Sequence, residues 1–191
     1  MIVIIQAFCY GTHSDKLVKA TETSTKKAGG LWKKYASIHG PKNVFVVYGT
    51  ANLANVKGSS KKEDGFRRNI LSQCGVHDNQ IIRISIVNTI HEIHMMHALL
   101  SLMNVKPDIV IGCCGVIHGF SVKIGLKCFY PKATLIMDTF PGFYEMEPDH
   151  PVKDQRSTLK WYIMSTIRFL VFATVVRAYT FFLHYTHSDV G

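Results

Sequence analysis

KPDIVIGCCGVIHGFSVKIGL, Lys106 to Leu126, joins three patterns in one short span. Pro107-Asp108 is a turn pair. Ile109-Val110-Ile111 is a short apolar β-branched run that reads as a buried strand. Gly112-Cys113-Cys114-Gly115 reads as a glycine-flanked turn, and a helical pattern carrying His118 follows it. Strand, turn and helix in this order form a ligand crevice at the carboxyl end of a strand in an open α/β sheet. Gly112 and Gly115 would let the backbone approach a phosphate or carboxylate. The helix start adds N–H donors and the positive end of its dipole. His118, just past the turn, suits a general acid or base. It equally suits a histidine that only hydrogen-bonds within the fold.

The segments on either side repeat the theme. Ile2 to Phe8 is a first buried strand, ended by Gly11 and the polar run Thr12-His13-Ser14-Asp15. Ser14 or Asp15 can cap the next helix. There Leu17, Ala20, Ser24, Ala28, Leu31, Tyr35 and Ile38 recur at helical steps. Gly29-Gly30 weakens its middle by about 1 kcal/mol per glycine relative to alanine, so a kink or early stop is expected. Val44 to Tyr48 is the second strand and stops at Gly49; Thr50 to Ser60 reads as a loop. Lys61 to Cys74 is helical with Phe66, Ile70 and Leu71 inward, and Gly75 stands where a C′ glycine belongs. Gln80 to Val87 is the third strand. Asn88-Thr89 opens a helix to about Met103, with Ile90, Ile93, Met96, Leu100 and Met103 on its apolar face. Ala133 to Met137 is the fifth strand, ended by Asp138, and the acidic, proline-bounded 141–151 is a loop. Strands alternating with helices predict a single α/β domain over 1–191, with three layers and a mostly parallel sheet of about five strands.

Residues 155–186 are expected to form a C-terminal apolar helix. Arg168 and Arg177 interrupt its most apolar part, Trp161 to Tyr185. A membrane span needs about 20 mostly apolar residues, and central arginines cost about 2.5–3.5 kcal/mol each. Packing on the sheet is therefore the expectation. The alternative is a peripheral membrane or protein-partner contact through 158–186. That would make the chain an interaction module with a degenerate pocket.

Composition bounds the partners. Among 191 residues, 47% are hydrophobic and 18% charged, which excludes a disordered chain. The net charge of +9 points to an anionic partner. The lysines come in scattered pairs, Lys26-Lys27, Lys33-Lys34 and Lys61-Lys62, without interleaved aromatics, so nucleic acid is not the expected partner. The five cysteines contain no CxxC pair. With no basic leader at the N-terminus, this predicts reduced thiols and a cytoplasmic location, with membrane association left to the C-terminal helix.

Other candidate groups fall on the same rim as the 112–118 segment. Asn88 and Thr89 with Glu92 have the form of a capping box, and both Asn88 and Thr89 could also hydrogen-bond a ligand. Gly11, Thr12 and His13 follow the first strand; Gly49, Thr50 and Asn52 follow the second. His91, His94 and His97 drift by about 60° per step around a helix, so they read as a polar face, and no metal is predicted. Cys113 or Cys114 could be a nucleophile at a helix N-terminus, but small buried residues are the preferred reading.

The order of these pieces over roughly residues 1–140 resembles the YdcF-like domain family, which includes the SanA and ElyC envelope proteins. Gln6 to Gly11 resembles its first small-residue loop, and Val47-Tyr48-Gly49-Thr50 its Ser-Gly-Gly-like turn. Glu63 resembles the acidic residue opening its next helix, and Gly75-Val76 the pair before its third strand. Val87-Asn88-Thr89-Ile90-His91-Glu92 resembles its Ser-x-Asn-Thr-x-Glu-Asn element. Cys113-Cys114-Gly115-Val116-Ile117-His118 approximates its Thr-Ser turn and histidine. Ser121 stands where the family has an arginine, with Lys123 as the substitute cation, and Lys19 is nearest to its first-helix arginine. The resemblance implies a Rossmann-like fold and a basic pocket for an anionic, nucleotide-like small molecule. It also implies transferase or hydrolase chemistry if the chain is an enzyme.

Overall fold

A computed structural model of the chain describes residues 2–8, 12–13, 16–51, 59–86, 89–140, 158–176 and 178. Five strands build one parallel sheet: β1 (Val3–Ala7), β4 (Val44–Ala51), β5 (Ile81–Ile86), β6 (Ile109–Gly115) and β7 (Thr134–Phe140). Their spatial order is β5-β4-β1-β6-β7. A separate two-stranded hairpin pairs β2 (Thr12–His13) with β3 (Lys16–Leu17). The helices are α1 (Lys19–His39), α2 (Ser59–Gln73), α3 (Thr89–Leu102), α4 (Val116–Phe129) and α5 (Thr158–Val171), the last followed by a π-helical turn, Phe172–Val176. The expected three-layer, Rossmann-like α/β fold is what the chain adopts.

Strand alternation sorts the core into two layers. Val3, Ile5 and Ala7 of β1 point to the face where Ala28 and Trp32 of α1 and Leu71 of α2 pack. Ile4 and Phe8 point to the other face, against Ile93, Met96 and Leu100 of α3 and Val122 and Leu126 of α4. Register ties β1 to both neighbours at once: Gln6 stands opposite Val47 on one side and Gly112 on the other.

Several element readings change. The expected turn at 112–115 is strand. Gly112, Cys113, Cys114 and Gly115 pair with Met137, Asp138, Thr139 and Phe140, and α4 starts without a connecting loop. β7 likewise runs through Asp138, whose carboxylate meets Lys27 of α1 at 2.5 Å.

Helix α1 passes unbroken through Gly29-Gly30. A β-carbon on Gly29 would stand 2.5 Å from Cys74 Sγ, so this glycine is what lets α1 and α2 approach. The inward face of α1 is also rotated from the apolar stripe. Thr21, Ser24, Thr25, Ala28, Gly29 and Trp32 are buried, while Ile38 is 64% exposed. Trp32 is fixed there by donating to the Val44 carbonyl at 3.0 Å. On α2 the inward residues are Glu63, Arg67 and Leu71, with Phe66 near the surface. The helix closes in a Schellman motif: Gly75 at φ 89° donates to Ser72, and Val76 donates to Leu71.

Helix α5 does not lie on the sheet. It packs along α4, where Phe169 and Phe120 meet edge to face with centroids 6.3 Å apart. Among the described residues, no helix is long and apolar enough to cross a membrane.

Candidate functional site

The strand order reverses at β1. The chain steps outward from β1 through β4 to β5, then returns to place β6 on the other flank of β1. The carboxyl ends of β1 and β6 are therefore the switch point at which ligands of such sheets bind.

Three elements converge there on His118. It sits in the first turn of α4, which opens at Gly115 with no side-chain cap. Its Nε2 is 3.2 Å from the hydroxyl of Thr89, the first residue of α3. Phe8, the residue after β1, stands nearly edge-on to the imidazole at 6.4 Å. Thr89 is 6% exposed and His118 is half-buried. The expected rim thus has Thr89 and His118 in hydrogen-bond contact, although they lie 29 residues apart in sequence.

Glu92 lies one turn below Thr89 and is 3% exposed. The capping-box reading has this carboxyl fold back over the helix start. It faces the sheet, and its Oε1 accepts from the Gly49 N–H at 2.8 Å. Burial raises its pKa to about 7, opposed by the Arg67 charge, the Gly49 N–H and the adjacent Gln6 amide. A β-carbon on Gly49 would come within 2.9 Å of the Glu92 carboxyl carbon and 2.6 Å of Ile86. The space beside Gly49, expected to line the rim, is thus taken by Glu92 and Ile86. Gln6 is fully buried on the same face, and neither of its amide atoms makes a well-formed hydrogen bond, although the amide lies beside the Glu92 carboxyl.

A buried charge pair occupies the opposite face. Arg67 and Glu63, 0% and 1% exposed, meet at 2.8 Å. Arg67 Nη1 also donates to the carbonyl of Ala7, the last residue of β1, at 3.3 Å. The guanidinium lies 4.9 Å from the Tyr48 ring centroid. Nearby in the layering, Thr21, Ser24 and Thr50 bury hydroxyls that have no hydrogen-bond partner. Thr50 shares the face of Tyr48, so it is separated by the sheet from Thr89 and His118.

Gly112 is strand, and its missing side chain is explained by Met137 and Leu126. A β-carbon there would meet them at 2.9 and 3.3 Å. Cys113 and Cys114 are fully buried on opposite faces of β6, the place of small core residues. Gly115 alone of the four stands at the helix start, with extended backbone at φ −63° and ψ 146°. Lys123 is exposed, five residues and so about 140° around α4 from His118. It lies away from His118, and Arg67, buried on the opposite face of the sheet, is paired with Glu63. Ser121, at the position read as the family's arginine, is buried. Gly11, Asn52 and Asn88 lie outside the described residues. His94 stacks on Phe129 and His97 meets the same ring at a tilt of 50°, each with centroids 5.6 Å away.

Gln6 and Arg67 were missed by the sequence reading. A glutamine inside the apolar strand IVIIQAF was one signal. Arg67 one helical turn after Glu63, on the stripe that leads to Leu71, was the other.

An open cavity of about 240 Å³ lies at the other end of the sheet, before β6 and β7, lined by His97, Leu100, Lys106, Phe129, Tyr130 and Lys132. It is remote from the strand carboxyl ends.

No protein-family model matches this sequence, and no curated protein matches it with significance.

Proposed function

We propose that this chain is a YdcF-like protein that binds, and acts on, an anionic nucleotide-like small molecule at the carboxyl ends of β1 and β6. The observation that carries the reading is the Thr89–His118 hydrogen bond across the first turns of α3 and α4. It joins two helix starts at the switch point, where backbone N–H groups and the helix dipoles favour a negative group. The net charge of +9 favours the same ligand class.

In this reading the first turn of α4 holds the ligand's anionic group. Thr89 orients the imidazole and shares its hydrogen bonding with the ligand. His118 supplies the acid, the base or the donor at the reacting atom. Glu92 and Gln6 lie beneath and fix the start of α3 against β4. Arg67, paired with Glu63, holds the Ala7 carbonyl at the end of β1 without reaching the ligand.

The test is ligand-induced thermal stabilisation of wild type, His118→Ala and Thr89→Ala with a panel of nucleoside diphosphates. At 100 times Kd, a ligand stabilises a chain of this size by roughly 5–10 °C. Both variants should lose at least half of the shift seen in wild type, each compared with its own unliganded melt. Full wild-type shifts in both variants, or no shift with any anionic ligand, would overturn the reading.

A further inference from the structure

Among the described residues, the exposed face of α5 is mostly apolar. Leu159, Ile163, Met164, Ile167, Leu170 and Val171 are between 37% and 69% exposed. They follow helical spacing, so they form one stripe, and Val175 extends it at 53% exposed. The stripe continues onto α4, where Val116 and Phe120 are 42% and 60% exposed and Phe120 touches Phe169. A surface of this extent does not stay open to water on an ordinary monomeric protein.

Along α4 and α5 themselves the charged residues have one sign. Lys123 and Lys127 are exposed on α4, one and two turns beyond Phe120. Lys160 and Arg168 stand in α5. From Val116 to Phe129 and from Thr158 to Val176 there is no aspartate or glutamate. An apolar stripe with exposed Lys123 and Lys127 beside it complements a surface that offers hydrocarbon behind a layer of negative charge. Two copies of this face would bring their cations together, which disfavours self-association. The helix is too short to span a bilayer, as the described residues show.

We infer that the α4–α5 face is a docking surface for an anionic lipid bilayer, with α5 lying in the interface plane. The exposed side chains of α5 enter the acyl boundary, and Lys123 and Lys127 meet the lipid headgroups. The inference is independent of the crevice and survives if the ligand reading fails.

Flotation of the full chain with vesicles tests it. The lipids are phosphatidylcholine alone and phosphatidylcholine with phosphatidylserine. Wild type should float with the anionic vesicles and only weakly with the neutral ones. Binding should fall at 1 M salt, where the Debye length shrinks to about 3 Å. Ile163→Ser combined with Ile167→Ser and Leu170→Ser should weaken binding at least about tenfold. Lys123→Glu with Lys127→Glu should weaken it by about tenfold on anionic vesicles. Both variants should keep the wild-type circular dichroism, because every substituted residue is exposed. If the serine variant misfolds, the lysine variant decides alone. Three outcomes would overturn the inference. One is no flotation of wild type. Another is equal binding by both variants. The third is a wild-type dimer that the serine changes convert to monomer, which would show that a second copy covers the face.

Discussion

At Glu92 a carboxyl group is taken out of water with the Gly49 N–H as its donor, and burial holds its pKa at about 7 against an ordinary 4.5. The sign of the consequence follows from linkage. Below pH about 4.5 both folded and unfolded chains keep the proton. Between about 4.5 and 7 the unfolded chain releases it first, so stability falls as pH rises, and above about 7 the loss is complete. Glu92→Gln keeps an acceptor for Gly49 and removes the titration. Relative to wild type, this variant should gain about 2 kcal/mol between pH 5 and pH 8. Urea denaturation at the two pH values checks it, and parallel changes in both proteins would contradict it. Glu92 was legible in the sequence as a candidate, but its partner was not. The local spacing Thr89-x-x-Glu92 suggests a contact within one helix, whereas Gly49 is 43 residues away. Gln6 was masked for a related reason: a polar residue in a buried strand is visible, but what it faces depends on the register of β4 and β6.

At the scale of elements, the two adjacent glycines of α1 separate close packing from helix propensity. Nothing lies near a β-carbon built on Gly30, whereas Gly29 abuts Cys74. Gly30→Ala should stabilise the protein by up to about 1 kcal/mol. Gly29→Ala should destabilise it by about 1–3 kcal/mol, because α2 must move. Thermal melts of the two variants decide it, and equal shifts of the same sign would contradict the packing. Helix α2 carries a second test. Arg67→Met removes the counter-charge that meets the buried Glu63 carboxylate and should cost about 3–5 kcal/mol, whereas Glu63→Leu combined with Arg67→Met should cost far less. A double variant as unstable as the single one, read by urea denaturation, would show that the charge pair holds the fold. The apolar periodicity of α1 and α2 predicted helices correctly but misplaced their inner faces. Small polar residues and an i,i+4 ion pair face the sheet, and hydropathy does not recognise either as core.

Across the whole molecule, five apolar strand runs set between helices were enough to read a three-layer α/β sheet, since parallel strands buried on both faces leave an unmistakable composition. The reach of β6 and β7 was not legible. Gly112 and Gly115 look like turn residues until β7 supplies a partner to each and β1 a second one to Gly112. The placement of α5 was misjudged because an apolar helix satisfies the sequence pattern for core whether or not the fold has room for it. Here α4 already covers the sheet, and α5 is left on the outside with its stripe exposed. The rim as a whole was read from strand ends that each looked bland. Its contact between Thr89 and His118 is a property of strand order, which brings β5 and β6 to opposite flanks of β1.

The central claim is that the crevice above β1 and β6 takes the anionic ligand. Titration of the isotopically labelled chain with a nucleoside diphosphate, followed through backbone amide chemical shifts, tests it most directly. Saturable shifts concentrated at Thr89, Gly115, Val116 and His118 are expected. Shifts confined to the amino-end cavity around Lys106, Tyr130 and Lys132, or none at millimolar ligand, would contradict it.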